Sequence, residues 1–135
     1  MSGVSNLLGS GNDSWPGVGV SNAGNDTIDG QAGNDTINGG PGNDSLLGGA
    51  DTDWLDYSAE GGNITATLAT TGRATLAGGN DIFSSFEVLL SGSGNDSLTG
   101  SSNADTIYAG AGRDTVLSSG GSDWVEGGAG NDSIY

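Results

Sequence analysis

Aligned on the tripeptide Gly-Asn-Asp, the chain resolves into a nine-residue frame. The units SNAGNDTID, GQAGNDTIN, GGPGNDSLL and GGADTDWLD run without a gap from residue 21 to residue 56. A second block, SGSGNDSLT, GSSNADTIY, AGAGRDTVL, SSGGSDWVE and GGAGNDSIY, runs from residue 91 to residue 135. Position 6 is aspartate in every copy: Asp26, Asp35, Asp44, Asp53, Asp96, Asp105, Asp114, Asp123 and Asp132. Position 8 is always aliphatic: Ile28, Ile37, Leu46, Leu55, Leu98, Ile107, Val116, Val125 and Ile134. Two outlying copies, GSGNDSW with Asp13 and AGGNDIF with Asp81, fit the frame with short insertions beside them. So strict a period leaves little choice of architecture. Each unit must bury its one apolar residue against the next copy of itself.

Each unit reads as a loop followed by a strand. Gly, Asn and Asp at positions 4 and 5 tolerate the positive φ of a tight turn. Positions 7 to 9 form a minimal strand whose middle residue points inward. Two units per coil put successive loops on opposite edges, so loops two repeats apart lie on one edge, roughly 4.8 Å apart. Aspartates at such a spacing are unstable neighbours. Two carboxylates about 5 Å apart repel by roughly 3 kcal/mol at an effective dielectric near 20. A hard dication reverses the sign: calcium accepts six to eight oxygens at about 2.3–2.6 Å, and Gly-rich loops offer carbonyls to complete the shell.

Composition agrees that something other than a thick core holds the chain. Of 135 residues only 33% are hydrophobic and 28 are glycine, against a usual apolar share of about 45–50%. The formal charge is −15, with no lysine. That charge repels nucleic acid and anionic membrane surfaces and favours cationic partners, metal ions first. The absence of Cys and His removes disulfides, thiolate sites and the commonest general base. No apolar run reaches a membrane-spanning length, and the start MSGVSNLLGS lacks the regions of a signal peptide. Low hydrophobicity with high charge is also the signature of a chain that does not fold unaided.

The repeats resemble the hemolysin-type calcium-binding nonapeptides of the RTX family, with the pattern G-G-x-G-x-D-x-U-x. GGPGNDSLL and GGAGNDSIY match every fixed position, and the other units depart by one to three. The resemblance implies an all-β parallel β-roll, a right-handed solenoid with two nonapeptides per coil and calcium ions on both edges. It further implies calcium-dependent folding and secretion from bacteria, commonly through a type I exporter, to the extracellular space or cell surface. A single domain over 1–135 is expected, with a first block at 9–56, a longer-stranded segment at 57–90 and a second block at 91–135. In the middle segment Ile64, Ala66 and Leu68 alternate as a strand and Thr70-Thr71-Gly72 reads as a turn, so the segment is expected to continue the roll.

The resemblance also implies ligand sets. An ion takes the carbonyls of positions 2 and 4 and the aspartate of one loop. From the loop two repeats on it takes the carbonyls of positions 1 and 3 and that aspartate. On this chain the sets are Asn22, Gly24 and Asp26 with Gly39, Pro41 and Asp44; and Gln31, Gly33 and Asp35 with Gly48, Ala50 and Asp53. In the second block they are Gly92, Gly94 and Asp96 with Ala109, Ala111 and Asp114; and Ser101, Asn103 and Asp105 with Ser118, Gly120 and Asp123. A last set joins Gly110, Gly112 and Asp114 to Gly127, Ala129 and Asp132. Asp13 with Asp35 and Asp81 with Asp105 make two weaker pairs across insertions, giving about five to seven calcium ions. Arg113, beside Asp114, puts a cation next to one site.

The function expected is a calcium-binding module that folds on taking up its ions. It would serve as a structural, secretion-coupled or adhesin segment of a larger secreted polypeptide. The alternative is a calcium-stabilised recognition module. It would bind carbohydrate on Trp54 and Trp124, or ice on the outward Thr27, Thr36, Thr106 and Thr115. Paired acids also serve glycosidases, but calcium accounts for the Asp pairs here, and no enzyme is expected. Trp15, at an inward position, reads as a cap.

Overall fold

The computed structural model describes residues 5–16 and 23–135. Among these every regular element is a strand. The first block carries β1 (Ser5–Gly9), β2 (Ser14–Trp15), β3 (Thr27–Gln31), β4 (Thr36–Ile37), β5 (Ser45–Leu47) and β6 (Trp54–Asp56). The middle segment carries β7 (Thr65–Thr67), β8 (Gly72–Thr75), β9 (Asn80–Ser84) and β10 (Val88–Leu90). The second block carries β11 (Ser97–Thr99), β12 (Thr106–Tyr108), β13 (Ala111–Gly112), β14 (Thr115–Leu117), β15 (Trp124–Glu126), β16 (Ala129–Gly130) and β17 (Ser133–Ile134). Apart from β1 and the two-residue strands β13 and β16, the strands of both blocks begin at position 7 of the repeat, directly after the aspartate, because the turn ends there and the aliphatic residue can turn inward.

All but β13 and β16, which pair with each other at a coil edge, fall into two facing sheets. The first has the order β1-β3-β5-β9-β8-β7-β11-β14-β17, and the second β15-β12-β10-β6-β4-β2. Within each block neighbours are parallel and 18 residues apart: Thr27 lies opposite Ser45, Thr36 opposite Trp54, Thr106 opposite Trp124 and Thr115 opposite Ser133. Two nonapeptides therefore complete one coil, and alternate repeats feed alternate sheets. The result is an all-β solenoid of about seven turns. At the N-terminal end the step is 22 residues, Ser14 to Thr36, and the pairing is again parallel.

Between the sheets runs a spine one side chain wide. Ile28, Leu46, Leu98 and Val116 enter from the first sheet, and Ile37, Leu55, Leu89 and Ile107 from the second; all are buried. Trp15 closes this spine near the start, buried with the core. Trp54 and Trp124 lie on the outer face: Trp54 stacks on Tyr108 at 6.2 Å between centroids, while Trp124 is 64% exposed.

The middle segment departs from another coil. β9 pairs parallel with β5 and β7 parallel with β11, but β8 runs antiparallel to both β7 and β9. The turn at Thr70–Thr71 reverses the chain within the sheet rather than carrying it across to the other one. Meanwhile β10 pairs directly with β6 and β12, so β7 and β8 have no counterpart across the core. Tyr57, Ile64, Leu68, Leu76, Phe83 and Phe86 fill the space, with the two Phe rings edge to face at 6.1 Å.

Candidate metal centre

Position 6 ends the loop just before the chain enters the sheet, so its side chain turns into the coil edge. Asp26, Asp35, Asp44, Asp53, Asp81, Asp96, Asp105 and Asp114 are buried, and Asp13, Asp123 and Asp132 are half-buried. Carboxylates are rarely so buried unless paired.

Register sorts them into two rows. Along the edge that leads into the first sheet, the Asp26 amide donates to Asp44 Oδ1 at 2.8 Å and the Asp44 amide to Asp81 Oδ1 at 2.9 Å. In the second block the Asp96 amide donates to Asp114 Oδ1 at 2.8 Å and the Asp114 amide to Asp132 Oδ1 at 3.0 Å. Along the other edge the Asp13 and Asp35 amides donate to Asp35 and Asp53 Oδ1, both at 2.8 Å, and the Asp105 amide to Asp123 Oδ1 at 3.0 Å. One oxygen of each acceptor thus serves the coil before it. Position 5 works in the opposite sense: Asn25, Asn34 and Asn95 Oδ1 accept the amides of Asn43, Thr52 and Arg113 in the coil that follows.

The second carboxylate oxygens divide into two classes. Those of Asp35, Asp44, Asp53 and Asp114 are buried without a hydrogen-bond partner. Those of Asp81 and Asp96 receive the hydroxyls of Tyr57 and Ser91, and Asp105 is held by the amide and hydroxyl of Ser101. Burial pushes Asp44 to about 6 against the Asp26 amide bond, with the charges of Asp81 and Asp26 adding to the rise. Burial likewise pushes Asp53 to about 6 against the Asp35 amide, with Asp35 and Glu87 adding. Asp81 and Asp114 are raised chiefly by burial too. A buried, unpartnered carboxylate oxygen costs several kcal/mol while it stays ionised, so these four sites call for a cation.

The surroundings fit a hard one. A Cβ on Gly30 would lie 2.4 Å from Asp35 Oδ2 and 2.2 Å from the Gly48 carbonyl oxygen, so only glycine leaves that oxygen pair open. Gly49, at φ 121, passes its backbone as closely over the Gln31 carbonyl. Among the described residues no three acidic side chains converge on one point. An ion here must therefore be held by two carboxylates and by carbonyls. The carbonyls of Gln31, Gly92, Ser101 and Gly110 each accept one amide from the next coil, those of Ala50, Ala111, Gly120 and Ala129. Each keeps a second lone pair. The carbonyls of Pro41 and Ala50 accept the Gly24 and Gly33 amides. Those of Gly24, Gly94, Asn103 and Gly112 face the next coil's backbone. Asn22 lies outside the described residues.

Two placements differ from the sequence reading. Asp81 does not face Asp105: it stands beside Asp44 in the first row, whereas Asp105 belongs to the second. The antiparallel pair β7–β8 folds the intervening chain back, so 37 residues separate Asp44 from its row neighbour. Glu87 was not singled out at all, yet it precedes Val88 as Asp53 precedes Trp54, and Val88 is in register with Trp54. The Asp53 amide donates to Glu87 Oε2 at 2.9 Å. The signal was available in EVLL, which repeats the acid-x-aliphatic-x order of DWLD.

No curated protein matches the chain. The family profile of the RTX calcium-binding nonapeptide repeat, in four copies, matches residues 20–55, 84–116 and 117–135, more than half of the chain. With nine-residue units, paired aspartates and an 18-residue coil, the chain belongs to the RTX calcium-binding nonapeptide repeat family.

Proposed function

We propose that the repeat blocks of this calcium-binding module are disordered without calcium and fold as ions fill the two carboxylate rows. The module would serve as a stabilising or adhesin segment of a larger polypeptide that bacteria secrete. One observation carries the reading: the four buried carboxylate oxygens of Asp35, Asp44, Asp53 and Asp114 have no hydrogen-bond partner. With a charge of −15, the rows repel themselves until dications bridge them, and the free energy of binding becomes free energy of folding. The five 18-residue pairs Asp26–Asp44, Asp35–Asp53, Asp96–Asp114, Asp105–Asp123 and Asp114–Asp132 are the expected bridges, with Asp13–Asp35 as a further one.

The secreted setting suits the chemistry, because extracellular modules meet calcium at the millimolar level that weak oxygen sites need. Among the described residues no helix is long and apolar enough to cross a membrane. Circular dichroism in chelator, then in millimolar calcium or magnesium, tests the proposal. Most of the strand signal should be lost in chelator, return with calcium, and return poorly with magnesium, which demands tighter octahedral geometry and keeps its waters. A cooperative melt in excess chelator would sink the reading.

A further inference from the structure

We propose one more calcium site, outside the nonapeptide pattern, formed by the carboxylates of Asp53 and Glu87 with the carbonyl of Ser85. It rests on the reading that the rows hold calcium. The second oxygen of Asp53 is buried and has no partner, and Asp53 is fully shielded from solvent. On the side of the preceding coil, Asp53 Oδ1 accepts the backbone amide of Asp35. On its other side lies Glu87.

The contacts around this pair reproduce those of the repeat pair before it. The Asp35 amide donates to Asp53 Oδ1 at 2.8 Å, and the Asp53 amide donates to Glu87 Oε2 at 2.9 Å. A Cβ on Gly30 would fall between Asp35 Oδ2 and the Gly48 carbonyl. A Cβ on Gly48 would fall 2.8 Å from Asp53 Oδ2 and 2.0 Å from the Ser85 carbonyl oxygen. Ser85 therefore stands to Asp53 as Gly48 stands to Asp35. Its backbone is left-handed, at φ 56, a conformation uncommon for serine; the Gly48 amide bonds to the Ser84 carbonyl beside it at 3.1 Å.

Loop length explains the change of residue. From Gly48 to Asp53 the chain has five steps, but from Ser85 to Glu87 it has two. A loop shortened by three residues holds its backbone nearer the sheet, and the extra methylene of glutamate restores the reach. The pair would bridge the first block to the strand β10 of the middle segment.

The experiment counts ions on the whole chain by native mass spectrometry in saturating calcium. Glu87→Gln keeps an oxygen for the Asp53 amide and removes the charge, so it should hold one ion fewer with an unchanged circular dichroism spectrum. Asp53→Asn, which touches this site and the Asp35–Asp53 site, should lose two. Equal counts in the wild-type and Glu87→Gln chains overturn the site and leave the rows standing, whereas a wild-type chain that takes up no calcium overturns both. Should Glu87→Gln not fold, Glu87→Asp keeps the charge with a shorter reach. One ion should then need about tenfold more calcium, and an unchanged titration overturns the site.

Discussion

The repeat blocks and the middle segment are built into one sheet on different principles. In the blocks the core is built chiefly from the aliphatic residues of position 8, and each loop gives the coil edge one carboxylate. In 57–90 the core receives Tyr57, Ile64, Ala66, Leu68, Ala74, Leu76, Phe83 and Phe86, and Asp81, the one repeat carboxylate there, already has the Tyr57 hydroxyl at 2.8 Å. Four carboxylate oxygens of the first region are buried and unpaired; the second pairs Asp81 with a hydroxyl of its own. Apolar burial at roughly 25 cal/mol per Å² needs no ion. Under the proposed function, this difference puts the calcium dependence in the loops with open oxygens rather than in the whole fold.

Removing calcium is the severest test. In chelator, hydrogen exchange resolved by peptide should show the amides of β11 to β17 exchanging as in an unfolded chain. Those of β7 to β10 should retain measurable protection, since stability is distributed unevenly where packing is. Uniform exchange across both regions would break the comparison.

Within the second block the rows should be unequal along their length. Asp114 is bonded to neighbours on both sides, to the Asp96 amide and to Asp132 Oδ1. Asp132 is bonded only toward Asp114. Asp114→Ala should raise the calcium midpoint for folding about tenfold and broaden the transition, because interior units couple two neighbours. Asp132→Ala should shift it much less. A calcium titration of both variants by circular dichroism decides it, and equal shifts would refute the bridging scheme.

Acid should imitate calcium weakly. For Asp44 and Asp53 the folded pKa, about 6, lies above the ordinary 3.8. Their contribution to the ion-free fold is therefore present below about 3.8 and lost as pH rises through about 6. In chelator, strand signal should grow as pH falls from 7 toward 5. The calcium midpoint should meanwhile rise about threefold, because the ion must displace those protons. A chelated chain with the same spectrum at both pH values would show that the buried carboxyls do not set the dependence.

The parts legible in the sequence were those fixed by period. Position 8 fixed the spine, since Ile28, Ile37, Leu46 and Leu55 recur where only an inward side chain fits, and position 6 fixed the rows. The 18-residue register then followed from placing alternate loops on opposite edges. What the period did not carry was the path of the chain where it lapses. The alternation of Ile64, Ala66 and Leu68 marks a strand but not its direction, and the turn at Thr70–Thr71 serves a reversal as well as a crossing. Period alone pairs Asp81 with Asp105, whereas the reversal sets it beside Asp44. Glu87 carries no period signal because a shortened loop moves the acid away from any Gly-Asn-Asp landmark.

The asparagines of position 5 have a consequence of their own. An amide oxygen at this position accepts a backbone amide of the next coil, and the relay goes on only where the residue giving that amide has a side-chain amide of its own. Asn12 passes to Asn34 and Asn34 to Thr52; Asn63 passes to Asn95 and Asn95 to Arg113. Thr52 and Arg113 accept the relay and end it, for neither carries a side-chain amide. Past those two residues the side chains that tie one coil to the next at these edges are the carboxylates of Glu87 and Asp132, so the joints where this neutral relay stops are the joints that charge must close.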